Sequence, residues 1–277
     1  MKPLLFLFAL ILPVHAAEPQ NPSPMVEHTR EHPRLKEEHP AGRREKLDAG
    51  TLFIPQVIEG QKEAPLLIFM HGGTWIPEVA AAKHNMAALV IQRGDGYKSL
   101  FEKEGALEAL LATATEKAGM SWSQITVGGW SAGCRGIRAM LRHESAVKRI
   151  NRVLMIDGIH TSYTDGKPGP LESKIDTEVL HPIAAFAREA MADHKKMLIT
   201  HSEIFPGTFA STTETADWLL RELGVKRRAV LEWGPMKTQQ LSEAKKSTFH
   251  LVGLAGNSAP DHVDQLHALS DWLDMLR

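Results

Sequence analysis

Six short, unbroken apolar runs, each closed by turn-forming or polar residues, constrain this chain more than any other feature. Leu66-Leu67-Ile68-Phe69-Met70 stops at His71-Gly72-Gly73, Ala87 to Ile91 stops before Arg93-Gly94, and Ile125-Thr126-Val127 stops at Gly128-Gly129. Val153 to Ile156 stops at Asp157-Gly158, Met197 to Ile199 at Thr200-His201, and Phe249 to Leu254 at Ala255-Gly256. None of these runs sustains an apolar–polar alternation over its length, so both faces of each strand need cover. That is the situation of a parallel sheet lying between two layers of helices. The intervening segments can supply the cover. Leu100, Phe101, Leu107, Leu110, Leu111 and Ala114 keep near-helical spacing, and Ser211 to Leu223 opens with Ser211 and Glu214 at capping-box separation. Val263, Leu266, Leu269, Trp272, Leu273 and Leu276 make an apolar stripe on a terminal helix. Alternation from end to end implies right-handed crossovers and the α/β fold class, with a mostly parallel sheet covered by helices on both faces.

Residues 50–277 carry this pattern without an internal break and read as one domain; 277 residues, 43% of them hydrophobic, are enough for a sizeable core. Lysine plus arginine is 32 against 33 acidic residues, so no whole-molecule field attracts nucleic acid, and no nucleic-acid partner is expected. A single cysteine, Cys134, excludes an internal disulfide framework and a multi-cysteine zinc site. No cofactor and no metal are expected. Met1-Lys2, the apolar run Leu4 to Leu12 and the small residues at Val14 and Ala16 read as a signal peptide over residues 1–17. That run is too short to stay in a bilayer, which takes roughly 20 apolar residues, so export to the periplasm or outside the cell is expected, with no stable membrane insertion after cleavage. Residues 18–49 form a polar leader. Its His28, His32 and His39 are spaced too irregularly for a compact metal set, and the leader is expected to pack over the domain edge.

The chemistry centres on Gly129-Trp130-Ser131-Ala132-Gly133, which follows a strand and precedes the helix candidate Cys134 to Leu141. A strand-to-helix turn this tight forces its middle residue into a strained backbone conformation. The flanking glycines remove Cβ clashes, and the Ser131 hydroxyl is thrust from the carboxyl edge of the sheet. With His71-Gly72-Gly73-Thr74-Trp75 upstream, the chain resembles the α/β-hydrolase family over essentially all of residues 50–277. The resemblance implies an α/β-hydrolase fold. It also implies an oxyanion hole built from the backbone of Gly72, Gly73 and Thr74 and from the N–H of Ala132, where fixed dipoles stabilise a developing negative oxygen.

A serine hydroxyl needs a base, and the base needs an orienting acid. The family order is serine, acid, histidine. His262 lies between the last strand and the terminal helix, where the family carries its catalytic histidine; His250 and His267 read as partly buried structural residues. For the acid the chain departs from the family, which most often has Asp near the position of Phe205, whereas here no Asp occurs between Asp193 and Asp217. Asp157 directly follows a strand, and some lipases of this fold take their acid from that strand end; Glu203 is the alternative, its longer stem offsetting an earlier position. Asp261 neighbours His262 and is expected to cap the final helix instead.

The expected activity is that of a secreted serine hydrolase of the carboxylesterase class, cleaving a small-molecule or polymeric ester through an acyl-enzyme. An acyltransferase or peptidase with the same triad, and a catalytically silent binding protein that kept the fold, are the alternatives. Trp130, Trp75, Trp122 and Trp233 are candidates for an acyl-pocket wall or for plain packing, and Cys134 for an inert buried thiol. Segments 158–181 and 226–248, the longest without a clear strand, are expected to cover the active-site face.

Overall fold

The computed structural model describes residues 31–166 and 174–277, so the signal segment and the first part of the leader, with His28, lie outside the described residues. In chain order the elements are β1 (Gly42–Lys46), β2 (Thr51–Pro55), β3 (Glu63–Met70), α1 (Trp75–Lys83), β4 (Ala87–Ile91), α2 (Tyr97–Leu100) and α3 (Ala106–Ala118). Then follow β5 (Ser121–Trp130), α4 (Cys134–Met140), α5 (Glu144–Arg149), β6 (Arg152–Ile156), α6 (His181–Met191) and β7 (Lys196–His201). The last third holds α7 (Thr212–Leu223), β8 (Arg228–Trp233), β9 (Gln239–Lys246), β10 (Phe249–Leu254), α8 (Ala259–His267) and α9 (Leu269–Met275).

All ten strands form one sheet, in the order β1-β2-β4-β3-β5-β6-β7-β10-β9-β8. The central six, from β4 to β10, run parallel. They are the six apolar runs. Successive side chains on these strands enter different cores. Leu66, Ile68 and Met70 of β3 face a core shared with α3, α4, α6 and α7, while Leu67 and Phe69 face one shared with α1 and α9. β6 does the same, Val153 and Met155 to the first core and Leu154 and Ile156 to the second. A strand buried on both sides has no position for a polar residue, which is why these segments read as continuous apolar runs. The α/β-hydrolase fold with helices on both faces of a mostly parallel sheet is therefore what the chain adopts.

Both ends of the sheet depart from the expectation. The boundary at residue 50 falls inside the sheet, since β1 lies within the polar leader and pairs antiparallel with β2. Segment 226–248 does not cover the site. It forms the antiparallel pair β8–β9 at the opposite edge, where most of β8 is exposed, including Leu231 and Trp233. Charged, partly solvated edge strands such as Arg228–Trp233 lack the apolar run that marks a central strand. The terminal stripe is likewise divided into α8 and α9 at Ala268.

The sheet fixes where chemistry can occur. Connections from β3 leave toward β4 on one side, while β5 lies on the other side of β3, so the topology reverses between β3 and β5. A crevice opens beyond the carboxyl ends of strands at such a reversal. His71, Ser131, Asp157 and Ser202 each follow one of these parallel strands at that edge.

Candidate active site

Ser131 has φ of +51° and opens the single 3₁₀ turn between β5 and α4. The turn is tight enough to exclude side chains at its flanks: a Cβ on Gly129 would lie 2.9 Å from the Gly133 carbonyl carbon, and one on Gly133 would lie 2.1 Å from the Met70 carbonyl oxygen. The two glycines are thus needed for close approach, while the serine carries the strain. Such a conformation costs about 1–3 kcal/mol, comparable to the gain from burying one large apolar side chain. Leu67, Ile68, Phe69 and Met70 of the adjoining strand are all fully buried, so the surrounding core readily holds the turn in place.

Of the two candidate carboxylates, Asp157 is the one that lies beside His262. It sits at the end of β6 with φ of +42°, its N–H donating to the Thr200 carbonyl at 3.0 Å. Gly158 behind it lets the chain fold against the serine turn, since a Cβ there would meet Ser131 O at 2.5 Å. The Asp157 carboxylate is buried and fully engaged. Oδ1 accepts from the Ser202 N–H and the Thr212 hydroxyl, each at 2.9 Å, and Oδ2 accepts from the Ser202 hydroxyl at 2.8 Å. His262 Nδ1 is 2.7 Å from Oδ2. Burial alone would raise the Asp157 pKa, but the hydrogen bond and charge of His262, with the Ser202 and Thr212 donors, outweigh it and hold the pKa at about 2. An ionised carboxylate accepts only, so Nδ1 of His262 is the donor in this contact and Nε2 points away from the acid.

That depressed pKa sets an acid limit. Against an ordinary value of 3.8, a folded-state value of about 2 contributes about 2 kcal/mol of stability. The contribution is present in full above pH ~4 and is lost as the pH falls through the folded value. Urea unfolding between pH 5 and pH 2 is expected to show this loss in the wild type and not in Asp157→Asn. Equal acid sensitivity of the two would assign the effect to other carboxylates.

His262 lies in the first turn of α8. That helix starts at Ser258, whose hydroxyl accepts from the Asp261 N–H while the Asp261 carboxylate accepts from the Ser258 N–H and hydroxyl. Asp261 is thus a cap, as expected from its position. Trp130 holds the histidine from the other side: its Nε1 donates to the His262 carbonyl at 3.0 Å and the two rings lie 4.5 Å apart. Trp130 also stacks on His71, with ring centroids 5.2 Å apart. Trp130 is therefore a spacer between two histidines rather than a pocket wall, and Trp233 is exposed on β8.

The leader reinforces α8. His32 Nδ1 and Arg34 Nε contact the two oxygens of Asp264 at 2.6 and 2.9 Å, and Arg34 Nη2 donates to the Pro260 carbonyl. Asp264 is fully buried two residues beyond His262, so the leader packs across the helix that carries the histidine. His32, Asp261 and Asp264 bring potential metal-ligand atoms within 4.8 Å of one another, but Arg34 already supplies the cation and Asp261 is taken up by its cap.

Ser131, Asp157 and His262 line one cavity of about 280 Å³, together with Ser202, Thr212, His160, Ile204, Pro206 and Phe209. Glu203 is left out. It is exposed, and its N–H donates to the Gly256 carbonyl. The strand end searched for an acid thus provides Ser202, a donor to the acid on the neighbouring strand. Ser202 and Thr212 were not singled out from the sequence, since a hydroxyl has no signal there beyond its place after β7 and in the α7 cap. The aromatic residue on the wall is Phe209, not a tryptophan. Ala132 lies within the serine turn, and neither it nor Gly72, Gly73 or Thr74 is among the residues that line this cavity. Gly72 has φ of +97°, and a Cβ on it would lie 2.5 Å from Leu266; Thr74 caps α1 and is exposed. Cys134, buried and held to the Gly129 carbonyl, has its thiol pKa pushed up by burial and stays protonated. Among the described residues, no helix is long and apolar enough to cross a membrane.

No family model matches the chain, and no curated protein matches it. Solved structures similar to it include an S-formylglutathione hydrolase from Agrobacterium tumefaciens, at 10% identity and a TM-score of 0.49, covering 84% of this chain and 92% of that one. An acetyl xylan esterase from Aspergillus awamori is 13% identical with a TM-score of 0.44, over 81% of this chain and 93% of that one. An acylaminoacyl peptidase from Pyrococcus horikoshii is 16% identical with a TM-score of 0.47, over 87% of this chain and 42% of that one. At such distances, the chemistry has to be read from this chain's own residues.

Proposed function

We propose that the chain is a serine hydrolase of carboxylic esters, exported through its N-terminal segment, with Ser131, His262 and Asp157 as nucleophile, base and orienting acid. The observation that carries the reading is the 2.7 Å contact between His262 Nδ1 and a buried, ionised Asp157 at the edge of a cavity that Ser131 also lines. In this reading His262 Nε2 takes the Ser131 proton as Oγ bonds to the ester carbonyl carbon. The Gly72–Thr74 backbone and the Ala132 N–H stabilise the oxyanion. Collapse breaks the bond to the alcohol, which leaves with the proton from His262. Water, deprotonated by His262, then cleaves the acyl–serine bond, giving the acid and regenerating Ser131.

Three donors and a histidine converge on the Asp157 carboxylate, the arrangement that orients a general base, which favours the hydrolase over a silent binding protein. The ester reading is tested with a fluorophosphonate probe, which phosphonylates an activated serine. Wild type is expected to be labelled and Ser131→Ala to lose the label entirely, with hydrolysis of 4-nitrophenyl acetate falling at least about 10⁴-fold. A folded wild type that resists the probe would return the silent-binder reading.

A further inference from the structure

A second cavity, of about 470 Å³, adjoins the one that holds Ser131. His160 and Phe209 line both, their rings meeting edge to face at 5.1 Å. Beyond this shared wall the lining turns basic. Lys98, Arg135 and Arg138 face the second cavity, and among the described residues that line it Asp176 is the one carboxylate. Arg138 is half-buried, and its Nη1 donates to a neutral group, the His160 carbonyl, at 2.7 Å. Its charge is therefore held away from bulk water without being neutralised at that nitrogen. Burial first, then the Arg142 and Arg135 charges, lower its pKa, and Asp176 opposes them only weakly. Lys98 lies 3.6 Å from Glu102, a carboxylate that is not part of the cavity lining. On the wall itself, His160 Nδ1 is buried and lacks a hydrogen-bond partner among the described residues. Burial pulls the His160 pKa down to about 4, so at neutral pH this ring offers one uncommitted hydrogen bond and no charge.

We infer that the substrate is an ester carrying a carboxylate, held in the second cavity by Arg138 and Arg135 while its carbonyl carbon lies at Ser131. The inference rests on the ester-hydrolase reading and adds the substrate class to it. A guanidinium pair binds a carboxylate through charge-assisted, often bidentate hydrogen bonds, which are about twice as strong as neutral ones. A half-buried site strengthens them further, because the field of the cations is less screened than in water. A 280 Å³ cavity against the serine leaves room for a short linker, and the orphaned His160 nitrogen lies on the route between the two ends. A purely apolar acyl chain would instead be matched by an apolar second cavity, and three cations on its lining oppose that.

The test uses two substrate pairs on the full-length protein. In the first, mono-4-nitrophenyl glutarate, with the carboxylate on the acyl part, is compared with 4-nitrophenyl hexanoate. In the second, 4-acetoxybenzoate, with the carboxylate on the alcohol part, is compared with phenyl acetate. In at least one pair the anionic member is expected to have the higher kcat/KM by about tenfold or more, and the anionic-to-neutral ratio is expected to fall ten- to hundredfold in R138Q. Arg135→Gln, on the exposed side, is expected to lower the same ratio by less and serves if R138Q folds poorly. Raising NaCl from 0.05 to 1 M should shrink the wild-type ratio. Calorimetry with glutarate alone gives a readout independent of turnover, with Kd expected to rise about tenfold in R138Q. Glutarate binding that depends on Arg138, without hydrolysis of any ester, would overturn the ester reading and uphold the anion site. Hydrolysis with the neutral member preferred in both pairs, or a ratio unmoved by both arginine variants, would overturn the anion site and leave the ester reading intact.

Discussion

Asp157→Asn is expected to lower kcat on 4-nitrophenyl acetate by about 10³- to 10⁴-fold with little change in KM. An asparagine amide of the same shape can still accept the Ser202 N–H and Thr212 hydroxyl bonds through its oxygen. At the other position it presents an NH₂ to His262, which turns the imidazole to the tautomer with hydrogen on Nε2 and leaves no lone pair for the serine proton. A 10⁴-fold loss is about 5 kcal/mol of transition-state stabilisation. The loss of one ion pair from a domain stable by roughly 5–15 kcal/mol leaves the enzyme folded at pH 7, so the rate effect is separable from unfolding. Glu203→Gln is the companion measurement, expected to stay within about twofold of wild type because that side chain is exposed and off the cavity. If the Glu203 change removes activity and the Asp157 change spares it, the acid has been placed on the wrong strand.

The contrast between these two carboxylates also marks how far the sequence can be read. The central strands were legible because burial on both faces leaves a one-letter signature, and Leu66 to Met70 or Val153 to Ile156 could hardly be anything else. The serine turn was legible because its glycines answer to a steric need that no other residue meets. The capping residues Ser211 and Glu214 were legible for a similar local reason, and both bonds of that box are present. What stayed hidden depends on contacts across the chain. β1 and β8 are the two edge strands and β9 lies just inside β8; their solvated faces take polar residues, so they resemble loops. Ser202 and Thr212 reach Asp157 across 45 and 55 residues. That the leader packs over the domain edge was expected, but its anchor was not, because His32 and Arg34 have no meaning until Asp264, more than 200 residues on, is placed beside them. The acid could be narrowed to two candidates from strand ends alone. Which of the two finds donors and a histidine depends on contacts that only the folded chain brings together.

The largest effect on the fold itself is expected at Gly133. Its backbone presses against β3 so closely that an added methyl would sit 2.1 Å from the Met70 carbonyl oxygen, 2.7 Å from the Met70 carbonyl carbon and 3.0 Å from the Met70 Cβ. Two of those atoms are backbone of a central strand, parallel-paired on both sides to β4 and β5, so they cannot rotate aside. Relief requires either the serine turn to lift or the sheet to part. Gly133→Ala is accordingly expected to lose at least about 4 kcal/mol of stability, in the range reserved for overpacked or strained core positions, and to lose fluorophosphonate labelling even where a folded fraction survives. Gly96→Ala supplies the control, since a Cβ there meets nothing closer than 3.7 Å, and its stability is expected to stay within about 0.5 kcal/mol of wild type. Chemical unfolding of the two variants side by side, with labelling of the folded fraction, reads both effects at once. A Gly133→Ala protein as stable and as reactive as wild type would mean that the turn is not wedged against β3, and that the strain at Ser131 has some other source.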